Sequence, residues 1–486
     1  MYLRTTAILF IIYLLLLNIT QLNAQTIDYD NPVNRYSFDL YRETKVENEN
    51  LFLSPISTYY ALLMAYEGSE NRTKQEFEKV LHLKSSGTLK NDYLYHLACK
   101  LDSGSGFKVS NAIWLDKSLH VEGDYSRSVS NKYFSDFKQT EFANTAAAIS
   151  DINQWVSEKT NKRITEIVSA ENVNQDTKLL IANAVYFKGE WLDKFEKKQT
   201  YPAIFFANAE NQYKIDFMKK REIIQYFENE EYQFISKPYK DSDLSFCIIL
   251  PKKLFGIEKI EKKLNTDFLK GIFDNTYYTK TSLSIPKLKL EASYELSDAL
   301  KNAGLKSAFI NDADFSGITK EAPLMLNKVL HKTWIELDEE KTEAAAATVA
   351  TIMVTGAKLA SFKVFNADHP FVFFILDNRS RTILFMGRYV EPNQEVPFME
   401  DKYRWSHNLE VRENEKFAVG DIDKGILFVV DKKIITEAEF GKINPEDIES
   451  IKVLKDKEDF GEYSSGDYDG AIIVTLKKKK KKNRTK

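Results

Sequence analysis

Two strand-like segments, TWIELDEE (Thr333 to Glu340) and PFVFFILD (Pro370 to Asp377), bracket a stretch in which bulky apolar positions nearly vanish. Their β-branched and aromatic residues suit a pleated, half-buried surface. The stretch between them, EKTEAAAATVATIMVT (Glu340 to Thr355), is built mostly of small side chains. With strand periodicity, Thr342, Ala344, Ala346, Thr348, Ala350, Ile352 and Val354 fall on one face, and Glu343, Ala345, Ala347, Val349, Thr351 and Met353 on the other. The first half of the Thr342 face carries nothing bulky, so the segment could slide between two existing strands without a side chain catching. Helix propensity favours a surface helix instead, because Glu and Ala are among the best helix formers. The pattern alone leaves both open.

Elsewhere the periodicity predicts helices first and strands later. Ser54-Pro55 offers an N-cap followed by Pro at the first helical position, and Ile56, Tyr60, Leu63 and Met64 follow at helical spacing. A second helix is predicted through Ile149, Ile152, Trp155 and Val156. Leu244 to Leu250, LSFCIIL, reads as a buried strand, and Ser282 to Leu288 alternates. The fold class is α+β, with a large sheet and helices packed on it. At the N-terminus Arg4 precedes an apolar run from Ala7 to Leu17, and Leu22-Asn23-Ala24 ends on a small residue before Gln25. That pattern predicts a signal peptide over residues 1–24. The run is shorter than the roughly 20 residues a spanning helix needs.

Composition narrows the functional classes. A chain of 486 residues with 43% hydrophobic and 13% aromatic residues has ample material for a core. Its net charge of -3 hides an asymmetry: the last ten residues, Lys477 to Lys486, hold eight positive charges and no acid, which leaves -11 on the rest. An acidic body is not expected to bind nucleic acid. Cys99 and Cys247 are the two cysteines, and a small buried hydrophobe is the expected role of each. There is no Gly-x-Ser-x-Gly elbow, and the six His residues fall in no triad or zinc spacing, so no catalytic activity, metal or cofactor is expected.

Five short blocks follow one another along the chain: Leu51 to Ser57 (LFLSPIS), Asn183 to Trp191 (NAVYFKGEW), Ala313 to Ile318 (ADFSGI), Phe365 to Ile375 (FNADHPFVFFI) and Ile383 to Arg388 (ILFMGR). In content and order they resemble the serpin family, serine-protease inhibitors that act through a mobile reactive-centre loop. The hinge pattern is matched by Glu339, Glu340, Thr342, Glu343, Ala344, Ala345, Ala346, Ala347 and Thr348, while Lys341 stands where the family nearly always has Gly. The resemblance implies a serpin domain over residues 28–394, with a large mainly antiparallel sheet A, smaller sheets and about nine helices packed in layers. It also implies that Ser54, Ser57, Asn183 and His331 form a hydrogen-bonded cluster beneath the middle of the large sheet. Trp191 is implied at the top of that sheet, where the loop begins to insert.

The implied activity is suicide inhibition of serine proteases, with cysteine proteases as a further class, in a covalent 1:1 complex formed by a monomer. Counting seventeen residues from Glu339 puts the reactive bond at Thr355-Gly356, with Val354 and then Lys358 as the alternatives. Small or medium apolar bait residues suit elastase- or subtilisin-like enzymes, whereas cleavage after Lys358 would indicate a trypsin-like target. The competing reading is a non-inhibitory serpin that serves as a binding or scaffold protein.

Beyond the polar stretch 395–404, expected to be a linker, residues 405–476 contain three blocks. Ile426 to Lys433, Ile443 to Asp456 and Tyr468 to Leu476 resemble the plug domain of TonB-dependent receptors, without the barrel. The resemblance implies a small α/β module, with a helix opening at Asn444-Pro445. It further implies a Gram-negative, Bacteroidetes-like envelope, so the protein is expected to be extracellular, periplasmic or outer-membrane-associated. Residues 477–486 are expected to be a disordered basic tail, and Lys477 to Lys482 could contact an anionic envelope surface.

Overall fold

The computed structural model describes residues 29–83, 107–123, 125–133, 135–339, 362–392, 426–431, 433–435, 448–454 and 470–476. In chain order the first elements are α1 (Pro32–Thr44), β1 (Leu51–Leu53), α2 (Pro55–Glu67), α3 (Asn71–Val80), β2 (Phe107–Asp116), α4 (Tyr125–Tyr133), β3 (Asp136–Thr140), α5 (Thr145–Lys159) and β4 (Leu179–Phe187). Then come β5 (Tyr201–Phe206), β6 (Gln212–Glu228), β7 (Tyr232–Pro238), β8 (Leu244–Pro251), α6 (Ile257–Glu261), α7 (Thr266–Asp274), β9 (Tyr277–Pro286), β10 (Leu288–Glu295) and α8 (Ser297–Ala303). They are followed by β11 (Lys328–Leu337), β12 (Lys363–Asn366), β13 (Phe371–Asp377) and β14 (Ile383–Tyr389). The α+β class holds, but helices and strands interleave throughout, because strands distant in the chain are neighbours in space.

Five strands form one sheet in the order β10-β11-β4-β2-β3. It is mixed, not mainly antiparallel: β10 with β11 and β2 with β4 are antiparallel, whereas β11 with β4 and β2 with β3 are parallel. Strand direction follows from connectivity, which the strands' own sequences do not record. Both faces are covered. On one, Trp155, Ile152 and Val156 of α5 pack against Trp114, Leu180, Ala182 and Trp334. On the other, Ile181, Val185 and Ile335 join the main core with α2. A second sheet runs β1-β14-β13-β8-β7-β6-β9-β12, with β5 paired to β6. Eight α-helices occur among the described residues, against the nine or so implied.

Local chemistry explains several elements. Asn31 caps α1, its side chain accepting from the Asn34 N–H at 2.9 Å, with Pro32 next. Residues Pro55 to Ala65 of α2 are all buried, as its lack of a polar face requires. Ser54 holds the N-cap position of α2, yet its hydroxyl makes no capping bond; it donates to the Leu384 carbonyl at 3.0 Å. Cys247 is a free, buried thiol in β8, pushed up to about 12 by burial, and Cys99 lies outside the described residues.

The C-terminal residues correct an expectation. β15 (Ile426–Val430), β16 (Lys433–Ile435), β17 (Ile448–Leu454) and β18 (Gly470–Leu476) form a four-stranded sheet in the order β16-β15-β18-β17. The helix start expected at Asn444-Pro445 lies outside the described residues, and Ile448–Leu454, with β-branched Ile448, Ile451 and Val453, is a strand. A plug-like architecture is therefore not supported. Residues 1–24, 395–404 and 477–486, expected as signal segment, linker and tail, lie outside the described residues.

Gly387 shows how tightly the second sheet is closed. A Cβ there would lie 2.3 Å from the Leu51 carbonyl oxygen and 2.7 Å from the Phe373 ring. The oxygen belongs to β1, which is paired with β14 through Phe52 and Gly387. Gly387→Ala should cost about 1–3 kcal/mol by overpacking. A thermal midpoint equal to wild type would show that β1 yields freely.

Candidate functional site

One register row crosses the middle of the five-stranded sheet. Tyr294 of β10 lies opposite His331 of β11, His331 opposite Asn183 of β4, and Asn183 opposite Asn111 of β2. Their side chains share a face, and the start of α2 sits against it. The Ser54 N–H donates to His331 Nε2 at 3.0 Å, so Nε2 is the unprotonated nitrogen and Nδ1–H donates to Asn183 Oδ1. The Asn183 amide nitrogen donates to Ser57 Oγ and Asn111 Oδ1, and the Ser57 hydroxyl donates to Asn111 Oδ1 at 3.3 Å. Ser54, Ser57, Asn183 and His331 are fully buried. Each bond satisfies a group whose burial alone would be costly. Burial pushes His331 down to about 3, so it stays neutral at physiological pH. The row also grips the other sheet: the Phe52 N–H donates to the Tyr294 hydroxyl at 3.0 Å, and the Phe52 carbonyl accepts from Thr333 Oγ1 at 2.7 Å.

A second cluster holds the exit of β11. The Trp191 indole N–H donates to the Asp338 carbonyl at 2.9 Å, and its ring stacks on Tyr239 with centroids 4.7 Å apart. Glu339 is buried and accepts from Thr200 Oγ1 at 2.6 Å, with Lys287 Nζ 3.0 Å away. Burial would raise its carboxyl, but the Thr200 and Lys287 hydrogen bonds hold it below the usual glutamate range. Lys188 Nζ reaches Glu336 at 2.5 Å and Asp338 at 3.4 Å. Behind Trp191, the buried pair Lys237–Glu222 closes at 2.6 Å, and the ammonium lies 5.5 Å from the Trp191 ring centroid and 4.8 Å from that of Phe195. Burial pulls Lys237 down, partly offset by Glu222.

Ser54, Ser57, Asn183 and His331 are brought together against one face of the sheet, and at the end of β11 Trp191 bonds Asp338 while Glu339 is held by Thr200 and Lys287. Glu340, Lys341, Thr342, Glu343, Ala344, Ala345, Ala346, Ala347 and Thr348 lie outside the described residues, as do Val354, Thr355, Gly356 and Lys358. Sequence reasoning missed Asn111, Thr200, Lys287 and the Lys237–Glu222 pair. Asn111 sits inside an apolar strand, where Asn is depleted, and that was the available signal. Lys237 occupies an otherwise buried stretch of β7, which marks a charge in need of a partner.

Comparison with known proteins gives a consistent result. The family profile Serpin (serine protease inhibitor) matches residues 31–392. A serpin-like protein of Thermococcus kodakarensis is 38% identical over 368 residues, covering 74% of this chain and 85% of that one. The leukocyte elastase inhibitor of Xenopus tropicalis is 34% identical over 370 residues, 74% of this chain and 97% of its own. Among solved structures, native tengpin, a thermophilic serpin, matches with a TM-score of 0.66 at 30% identity, covering 74% of this chain and 93% of tengpin. Uncleaved ovalbumin matches with a TM-score of 0.70 at 24% identity, covering 75% and 100%, which speaks to the fold alone.

The buried imidazole has a pH signature. Unfolded, His331 takes up a proton near pH 6.5; folded, it does so only near 3. Its contribution is therefore complete above pH 6.5 and is lost progressively as pH falls toward 3, with a slope of about 1.4 kcal/mol per pH unit where only the unfolded chain is protonated. Urea unfolding of wild type and His331→Gln between pH 5.5 and 4 should give a shallower pH dependence for the variant by about one proton. Parallel dependences would contradict a neutral His331.

Proposed function

This chain belongs to the serpin family of serine protease inhibitors, and from that premise we propose that it traps an endopeptidase by inserting its cleaved loop between β4 and β11. The protease's nucleophilic oxygen attacks the bait carbonyl carbon, the peptide C–N bond breaks, and the amine leaves with a proton from the protease's general acid. An ester then joins inhibitor and enzyme. The residues after Glu339 fold back along β11 as a new strand and carry the acyl-enzyme away before water releases it.

The observation that supports this reading most directly is the β4–β11 seam. These strands are parallel and paired over eight register positions, from Lys328 with Leu180 to Ile335 with Phe187. A chain reversing after Glu339 would enter antiparallel to both, exchanging one parallel pairing for two antiparallel ones, which are slightly more stable per residue. The small side chains of Thr342, Ala344 and Ala346 suit entry between a polar row and the Trp155 side of the sheet. We further propose Thr355-Gly356 as the reactive bond and elastase- or subtilisin-like enzymes as targets; a relative named leukocyte elastase inhibitor favours that choice. Export through residues 1–24 would bring the inhibitor to such enzymes. The second reading, a non-inhibitory binding protein, is favoured by one feature: Lys341 replaces the Gly that would ease the reversal.

Wild type mixed with elastase should give a band that survives boiling in detergent, at the mass of the enzyme plus the chain up to Thr355, with the fragment that begins at Gly356 released. Thr342→Arg should be cleaved at the same bond while the stable band falls to background, because a long charged side chain cannot enter the seam. Equal trapping by Thr342→Arg would sink loop insertion. Cleavage of wild type with no stable band and no gain in heat resistance would favour the binding protein.

A further inference from the structure

Nine large apolar side chains are exposed among the described residues, and four of them converge on one sheet face: Ile223 (64%), Tyr278 (71%), Phe362 (38%) and Val364 (45%). On β6, Arg221, Ile223 and Gln225 alternate outward and lie opposite Ser282, Lys280 and Tyr278 of β9; Ser282 in turn lies opposite Val364 of β12. Phe362 joins this face just ahead of β12, where the Arg221 guanidinium sits 5.2 Å from its ring centroid. The result is a surface rich in apolar side chains across three strands, with the exposed Lys280 between Ile223 and the start of β12 and Arg221 beside Phe362. Clustered exposed apolar side chains rimmed or punctuated by charge on a folded protein mark contact sites.

The occupant follows from the length of chain that leads into the patch. Gly356 is six residue steps from Phe362, so the reactive bond is at most about 22 Å of chain from the patch. An endopeptidase domain of roughly 225 residues has a radius of gyration of about 17 Å and is about 40 Å across. A tether that short keeps a body of that size within reach of the surface around the tether's root. We propose that the face formed by Ile223, Tyr278, Phe362 and Val364 is a docking surface for the target protease, receiving apolar side chains and carboxylates from beside the enzyme's cleft. This rests on the inhibitory reading and on Thr355-Gly356 as the bait. The patch would set how fast an enzyme is captured and which enzyme is preferred, separately from the bait residue. It would leave untouched the race between insertion and deacylation.

The test measures the second-order rate of stable-complex formation with elastase and with subtilisin for wild type, Ile223→Asp, Tyr278→Ala and, as a remote control, Phe255→Asp, another exposed apolar position. With at least one enzyme, the two patch variants should slow capture about tenfold or more, as expected for loss of a central anchor. Phe255→Asp should match wild type. Thermal midpoints and the number of inhibitor molecules consumed per enzyme should stay unchanged in all variants. Equal capture rates in variants and wild type, with trapping intact, would overturn the docking surface and leave the inhibitory reading standing. Absence of trapping by wild type would overturn both. A concentration-dependent dimer that Ile223→Asp converts to monomer would assign the face to a second copy of the chain and reject the protease as its occupant.

Discussion

The parallel pairing of β4 with β11 is the constraint on which the rest of the molecule turns. Two long strands lie side by side in the same direction, buried on both faces, and the row through Asn183 and His331 pins them at mid-height. A parallel pair in the centre of a sheet is stable, but it is also the one arrangement that a strand of opposite sense can improve on twice over. The resting protein is thus held by satisfied hydrogen bonds in a pairing that has an alternative. The polar row makes this workable. Were the sheet to part, it would strand no charge, because burial keeps His331 neutral, and its donors and acceptors are short side chains able to find new partners.

The top of the seam is organised differently. Around the exit of β11 the bonds are charge-assisted: Glu339 with Lys287 and Thr200, and Lys188 with Glu336 and Asp338. Trp191 adds a single bond to the backbone at Asp338 while its ring is fixed between Tyr239 and the Lys237 ammonium. Neutral bonds at mid-sheet and ionic ones at the entrance give the two regions different responses to salt, since only the entrance is partly open to solvent.

Much of this was legible in the sequence where short blocks carry the geometry. Ser54-Pro55 announces the start of a helix through its cap chemistry and the apolar positions after it, whereas the grouping of Ser57, Asn183 and His331 with Ser54 was legible only through the resemblance to serpins. What the sequence could not show was which strands are neighbours. Asn111 joins the polar row only because β2 lies beside β4, and the mixed sense of the sheet depends on the same long-range order. The Ser54 hydroxyl looked like a helix cap, but a carbonyl from Leu384, far along the chain, is its better partner. At Ile448–Leu454 three β-branched residues and the pairing with β18 together make a strand.

The corner between β9 and β10 sets how the molecule can deform. A single residue, Lys287, separates Pro286 in one sheet from Leu288 in the other, and its backbone N–H is bonded to the Asp216 carbonyl at 2.9 Å. That joint has no slack, so β10 and the β11 strand paired along it are fixed to the second sheet like a stator. On the other side of the seam, β4 reaches its next strand only through residues 188–200. The two sides of the seam are therefore coupled to the second sheet over unequal lengths of chain, one residue beside β10 and thirteen beside β4, and the longer link is closed by the Leu192 N–H on the Pro238 carbonyl and the Lys240 N–H on the Glu190 carbonyl.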